Sequence, residues 1–305
     1  MSFRSGFVSI VGRPNAGKST LLNALVGEKV AIVTHKPQTT RNRILGMVNL
    51  PAEKGRPAAQ IVLIDTPGVH KPTSALNRKM MQEVHDALQG RDLVLLIVDA
   101  AVEFGTGDRF VLDLVKRSGG RVFLLLNKID AIPKPRLLPL IAEYSKLHDF
   151  AEIIPISALK RDGLDVLLDK VVRALPEGPR YFPKDQYTDQ PERFLAAEIV
   201  REKVLVAAAE EVPYATTVQV ENFEELPGLT RIHATIYCER DGQKKILVGK
   251  GGAMLKKIGT SARLELERIL GTKVYLELFV KVRPEWRESK RFLEEQDWRH
   301  DKAGG

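Results

Sequence analysis

Eight consecutive residues near the start of the chain, Gly12-Arg13-Pro14-Asn15-Ala16-Gly17-Lys18-Ser19, have the spacing G-x-x-x-x-G-K-S. Glycines at those two places let backbone N–H groups turn inward, and the ligand such a cradle fits is a phosphate chain. A lysine closing the cradle reaches the β- and γ-phosphates, and the hydroxyl after it is a hard oxygen donor for Mg2+. The apolar run Phe7–Val11 precedes the segment and the helical pattern Lys18–Val26 follows it, so a helix adds the positive end of its dipole. The nucleotide contacts expected here are Gly12, Asn15, Ala16, Gly17, Lys18, Ser19 and Thr20. A glycine turn that fits by chance is the bland alternative, and the strand–helix context counts against it.

Three later segments extend that chemistry. Asp65-Thr66-Pro67-Gly68 ends another apolar run; Asp65 can hold Mg2+ through water, and the Gly68 N–H can meet a γ-phosphate, making the loop sensitive to hydrolysis. Asn127-Lys128-Ile129-Asp130 follows a third run. Guanine offers an N1–H and an N2 amino group that one carboxylate accepts together; adenine lacks both and would leave Asp130 unpaired. Asn127 would brace the loop, and the Lys128 stem would cover the ring. Ser157-Ala158-Leu159 follows a fourth run, where the Ala158 backbone N–H is the candidate for guanine O6. A helix N-cap at Ser157 is the other reading of that segment and is compatible with the first.

Far along the chain, Val248-Gly249-Lys250-Gly251-Gly252 is flanked by Lys244, Lys245, Lys256 and Lys257, and no acidic residue occurs from Gly242 to Leu264. A G-x-x-G turn between helices lets a nucleic-acid backbone approach without side-chain clash, while lysines meet phosphates and an apolar groove holds unpaired bases. Ile246, Val248, Met254, Leu255 and Ile258 are the candidates to line that groove. A helix–helix turn on a solvated basic face is the alternative.

Positioning these groups requires two kinds of element order. Strand candidates Phe7–Val11, Gln60–Asp65, Leu93–Asp99, Val122–Asn127 and Ile153–Ile156 alternate with helical stretches, which predicts a mostly parallel sheet with helices on both faces and a site at the carboxyl ends of the strands. Residues 176–191 hold several prolines and read as a linker, so the expected domains are 1–175, a linker over 176–191, and 192–305. The last part reads as a long helix from Glu192, two strands, a short helix, the glycine turn, a helix and a strand, with a charged tail from Glu285 on. In composition the 305 residues are 44% apolar and 28% charged with a formal charge of +8, which favours an anionic partner. One cysteine, Cys238, excludes an intramolecular disulfide; it sits in an alternating apolar run and reads as a core residue. No signal-peptide pattern or membrane-length apolar run is present, so a cytoplasmic protein is expected; a monomer is the expected oligomeric state.

The four ordered motifs over residues 5–175 resemble the small GTPases of the translation-factor-related class. That resemblance implies a slow intrinsic GTPase with a P-loop α/β domain. Its mobile switch loop would be Thr34–Arg43, with Thr40 binding Mg2+ beside Ser19 and Asp65; the neighbouring Thr39 stays open for that role. Lys18, Thr40 and Gly68 are then the catalytic assignments. One departure stands out: many small GTPases place a water-orienting glutamine after D-x-x-G, and here the residue is Val69. Asn15 is similar to the P-loop asparagine that binds K+ in relatives, so K+ is an open second cofactor. Arg13 and Arg41 are the nearby candidates for an arginine finger. The C-terminal order resembles a type II KH domain, an α+β fold. The combination, including Lys36-Pro37-Gln38-Thr39-Thr40-Arg41, resembles the Era family of bacterial GTPases. That resemblance implies binding of the 3′ end of 16S rRNA, assembly of the 30S subunit and a peripheral contact with the inner membrane. An RNA chaperone or scaffold, or a membrane-associated regulator, in which hydrolysis is secondary, is the alternative.

Overall fold

The computed structural model describes residues 2–53, 55–69, 72–209 and 211–301. Residues 1–31, 40–72 and 79–189 form one compact unit. Ile32–Thr39, Thr73–Arg78 and the chain from Gln190 on form a second.

The chain runs β1 (Arg4–Gly12), α1 (Lys18–Val26), β2 (Ile44–Leu50), β3 (Ala59–Asp65), α2 (Ala75–Ala87), β4 (Leu93–Asp99), α3 (Thr106–Ser118), β5 (Val122–Asn127), α4 (Leu137–Tyr144), β6 (Glu152–Pro155) and α5 (Leu164–Ala174). The strand order is β2-β3-β1-β4-β5-β6, with β2 antiparallel to β3 and the others parallel. Period-two alternation builds both layers. Leu93, Leu95 and Ile97 pack in one buried cluster with Leu21 and Leu22 of α1 and Leu167 and Val171 of α5. Val94, Leu96 and Val98 face the other way, onto Val84 of α2 and Val111 and Val115 of α3. Every central strand is therefore apolar on both faces, as a parallel sheet requires. The register sets Asp99 beside Asn127 and Ile10 beside Asp65, so the motif-bearing loops leave the sheet at its carboxyl edge.

Strand β2 is an addition to the strands expected from sequence. It pairs along the whole of β3, and Gly46 lets it lie on α1: a β-carbon there would meet Leu22 Cδ1 at 2.6 Å. Residues 176–189, read from sequence as a linker, are tied to this first unit. Met47 N–H donates to Tyr187 O at 2.9 Å, Tyr181 N–H to Gln60 Oε1 at 2.8 Å, and the Ser5 hydroxyl to Pro179 O at 2.6 Å.

The second unit contains α6 (Glu192–Ala207), β7 (Thr217–Leu226), β8 (Leu229–Cys238), α7 (Asp241–Val248), α8 (Ala253–Leu270), β9 (Lys273–Val282), α9 (Lys290–Glu295) and α10 (Trp298–Asp301). Its sheet order is β7-β8-β9, the first pair antiparallel and the second parallel. Leu195, Ile199 and Val204 of α6 and Ile258, Ala262 and Leu266 of α8 bury against Ile232, Ala234, Ile236 and Cys238. Cys238 is a core residue, and burial pushes its thiol up from the ordinary range. Ile258 differs from the sequence expectation: at four-residue spacing with Ala262 and Leu266 it points into this core and is 1% exposed, so it does not line the groove.

Candidate nucleotide and RNA sites

The glycine cradle spans the gap from the end of β1 to the start of α1 and works by close approach. A β-carbon on Gly12 would sit 2.5 Å from Ile97 O, and one on Gly17, whose φ is +101°, would sit 2.2 Å from Asn127 Nδ2. Asn15 also lies in the left-handed region at φ 64° and is exposed. The D-x-x-G loop is stitched on from the other side. The Thr66 hydroxyl donates to Ile10 O at 2.8 Å, Val69 N–H donates to Gly12 O at 3.2 Å, and a β-carbon on Gly68 would meet Pro14 Cα at 2.8 Å.

Inside the cradle, Lys18 is 5% exposed and donates to the carbonyls of Gly12 and Arg13 at 3.1 and 2.8 Å. Burial pulls its pKa down to about 8 against the opposing charge of Asp65. Asp65 is fully buried, and burial pushes its carboxyl up to about 6, opposed by Lys18 and by the Ser19 and Thr40 hydroxyls. Each charge thus lacks a sufficient counter-ion: an anion for Lys18, a cation for Asp65. The Ser19 hydroxyl donates to Asp65 Oδ2 at 2.6 Å and lies 2.9 Å from Thr40 Oγ1, which is itself 3.3 Å from Asp65 Oδ2. Asp65 Oδ1 is buried with no hydrogen-bond partner. Two hydroxyls and an under-satisfied carboxylate make a hard oxygen set that fits Mg2+. Of the adjacent threonines, Thr40 joins this cluster; the Thr39 hydroxyl donates to Lys36 O at 2.7 Å.

The base end is braced by Asn127, 2% exposed. Its Nδ2 donates to Ala16 O at 2.8 Å, and its Oδ1 accepts the Ala158 N–H at 2.9 Å. That second bond departs from the sequence expectation, which gave the Ala158 N–H to guanine O6; here it fastens one loop to the other. Ser157 Oγ accepts the Lys160 N–H at 3.1 Å within a turn rather than at a helix start, since α5 begins at Leu164 after Gly163, and Leu159 is 74% exposed. Lys128, at φ 65°, turns the chain so that Asp130 sits exposed on a short 3-10 turn. Thr20 is half-buried in the first turn of α1.

Two positioning residues were not singled out in the sequence. Asp99 holds Lys128 Nζ at 2.5 Å, and the signal for it was a carboxylate ending β4 in register with Asn127. Asp108 holds Arg13 Nη1 at 2.7 Å, so the P-loop arginine considered as a finger is committed to the start of α3. Arg41 is buried, 7% exposed. Val69 is 2% exposed and packs with Val11, Val84 and Leu96, away from any solvent-facing position.

In the second unit, α7 stops at Gly249, whose φ of 73° and ψ of 173° suit glycine alone, and whose β-carbon would strike Met254 N at 2.8 Å. Gly251 and Gly252, at φ 58° and 80°, have open space where a β-carbon would go. Lys244, Lys245, Lys250, Lys256 and Lys257 are exposed, Ile246 is 49% exposed, and Val248, Met254 and Leu255 are half-buried against the core. The turn therefore presents bare backbone, cations and a partly apolar rim together.

Comparison with known proteins agrees on both halves. The model of a family described as a 50S ribosome-binding GTPase matches residues 7–128, and that of the KH domain matches residues 211–287. The GTPase Era of Geobacter metallireducens is 53% identical over 295 residues, 96% of this chain and 97% of that protein. The GTPase Era of Ruminiclostridium cellulolyticum is 48% identical over 99% of this chain and 100% of its own length. Among solved structures, Era in complex with MgGDPNP and nucleotides 1506–1542 of 16S ribosomal RNA superposes with a TM-score of 0.93 at 42% identity, covering 97% of this chain and 99% of that one. An Aquifex aeolicus Era variant bound to GDP and AlF4− gives 0.92 at the same identity and the same coverage. The chain belongs to the Era family of GTPases.

Proposed function

We propose that the chain is a GTP-hydrolysing switch that binds the 3′ end of 16S rRNA through its KH unit and acts in assembly of the 30S subunit. The observation that carries this is the coexistence of the braced guanine-nucleotide cradle and the cationic glycine turn in one chain, in a family whose solved member holds MgGDPNP and nucleotides 1506–1542 together. Lys18 would meet the β- and γ-phosphates, the Gly68 N–H the γ-phosphate, and Asp130 the N1 and N2 donors of guanine, with Asn127 and Lys128 holding the base loop. Ser19, Thr40 and Asp65 would hold Mg2+, which, when bound, neutralises charge on the phosphates. Lys250 and its lysine neighbours would meet RNA phosphates. A fluorescent 3′-terminal fragment of 16S rRNA should bind in the presence of a GTP analogue, and replacing Lys250 with Ala should weaken it severalfold; affinity equal to that for a scrambled fragment would remove the target.

A second reading is supported by Val69: without a glutamine after D-x-x-G, hydrolysis is secondary and the chain acts as an RNA chaperone, a scaffold or a membrane-associated regulator. Among the described residues no helix is long and apolar enough to cross a membrane, so such a contact would be peripheral. A hydrolysis rate unchanged by the RNA fragment favours this reading. Asn15, exposed beside the cradle, supports K+ as a second cofactor; equal hydrolysis rates in KCl and NaCl would end that part.

A further inference from the structure

The loop that joins β4 to α3 belongs to none of the nucleotide motifs, yet a carboxylate at each of its ends holds a cation from one of them. At the β4 end, Lys128 Nζ donates to Asp99 Oδ2 at 2.5 Å and the Ala101 N–H to Asp99 Oδ1 at 3.0 Å, while the Ala100 N–H donates to Asn127 O at 2.8 Å. At the α3 end, Arg13 Nη1 and the Gly105 N–H donate to Oδ2 of the buried Asp108 at 2.7 and 3.0 Å. The middle of the loop is fixed as well: the Phe104 ring meets the buried Tyr144 of α4 edge-on at 5.6 Å, and the Arg109 guanidinium lies 5.8 Å from its centroid. Gly107 makes room for the arginine, since a β-carbon there would sit 2.9 Å from Arg13 Nε and 3.2 Å from its Cδ. All of these residues lie in the first unit.

Both cations sit where a displacement would be felt by a bound nucleotide. The Arg13 carbonyl accepts from Lys18 Nζ at 2.8 Å and from the Ala16 N–H at 3.4 Å, so the residue whose side chain is anchored on α3 also shapes the phosphate cradle. Lys128 opens the turn that carries Asp130, and its stem is the candidate cover for the guanine ring. A long side chain held in place before the ligand arrives spares the ordering cost that binding would otherwise meet. We infer that the β4–α3 loop is an affinity-setting element of the nucleotide site, in which Asp99 and Asp108 are positioning residues that act through Lys128 and Arg13. This rests on the guanine-nucleotide reading of the cradle. The effect falls on GDP and GTP alike, because neither pair includes a member of the Ser19–Thr40–Asp65 cluster.

The test uses the full chain with Asp99→Asn, Asp108→Asn and Gly107→Ala, together with Lys128→Met and Arg13→Met. An asparagine keeps an oxygen for the Ala101 or Gly105 N–H while losing the charge, and Gly107→Ala keeps every charge but pushes the arginine off Asp108. The readouts are affinity for GDP and for a non-hydrolysable GTP analogue, kcat and KM for GTP, and the melting temperature without nucleotide. More than a third of each cation's side chain is in solvent, so these ion pairs are worth little to folding and the melting temperature should hold within a few degrees. Gly107→Ala, which adds a helix-favouring residue to α3, should match or raise it. Each of the three should weaken GDP and the analogue by roughly fivefold, and for Asp99→Asn KM should rise with kcat within about twofold. Asp99→Asn added to Lys128→Met, and Asp108→Asn added to Arg13→Met, should cost nothing further, because each carboxylate acts through its cation. Unchanged GDP affinity in Asp99→Asn and Gly107→Ala, full additivity in either cycle, or an affinity loss that only tracks a falling melting temperature overturns the inference. If the unaltered chain binds ADP as tightly as GDP, the guanine-nucleotide reading fails first and the inference falls with it.

Discussion

Gly17 and Asn127 are packed so closely that the α-carbon of one leaves no room for a side chain beside the amide of the other: a β-carbon on Gly17 would lie 2.2 Å from Asn127 Nδ2. The same amide donates to Ala16 O, and its oxygen accepts from Ala158. Phosphate cradle and base loop are therefore one braced assembly. Gly17→Ala should cost about 2–4 kcal/mol of stability, from the clash and from a φ of +101° that alanine avoids. It should also abolish measurable GDP binding. Urea unfolding and nucleotide fluorescence check both, and unchanged GDP affinity would show that the brace is dispensable.

Asp130→Asn removes the carboxylate proposed to read guanine while leaving the loop intact, because Asp130 is exposed and the bracing is done by Asn127. GTP affinity should fall roughly hundredfold, the worth of two charge-assisted bonds. Xanthosine triphosphate, whose C2 carbonyl accepts from an amide, should bind better than before. Competition binding with both nucleotides measures this, and retained preference for GTP would reassign the base contact.

The two ends of the glycine turn should separate ligand binding from folding. Gly251→Asp meets open space at φ 58°, a conformation aspartate tolerates, so stability and GTP binding should hold while RNA affinity drops at least about tenfold by charge repulsion. Gly249→Ala instead drives a methyl into the Met254 backbone and should lower the melting temperature as well as RNA affinity. Equal effects of the two on stability would contradict this placement.

Restoring a glutamine after the D-x-x-G motif should not restore its function. Val69 is 2% exposed among Val11, Val84 and Leu96, so Val69→Gln buries an unpaired amide at a cost of about 1–3 kcal/mol. Single-turnover hydrolysis should be no faster than in the unaltered chain. A faster rate would mean that the loop swings Val69 out toward the phosphates.

Much of the nucleotide site was legible in the sequence because its chemistry is local: each motif follows an apolar run, and parallel pairing brings those run ends to one edge. What stayed hidden depends on pairing or packing at a distance. Strand β2 carries Gly46 in its middle, a residue that reads as a break until α1 is seen lying on it. The Ala158 N–H was free to be assigned to the base until Asn127 was placed beside it. Ile258 was grouped with Met254 and Leu255 as a groove candidate, whereas its partners at four-residue spacing, Ala262 and Leu266, are core. Arg201 lies in the long helix expected from Glu192 and nothing in the sequence marks it out; the Glu198 carboxylate and the carbonyls of Gln38 and Thr39 show what its charge holds.

The most direct test of a GTP-controlled RNA switch is binding of the full chain to purified small ribosomal subunits, in a non-hydrolysable GTP analogue against GDP, with crosslinking to locate the contact. Tighter binding in the analogue, with crosslinks from Lys250 or Lys256 to the 3′ end of 16S rRNA, is the predicted result. Equal binding in the two nucleotides, or crosslinks confined to other RNA, would contradict it.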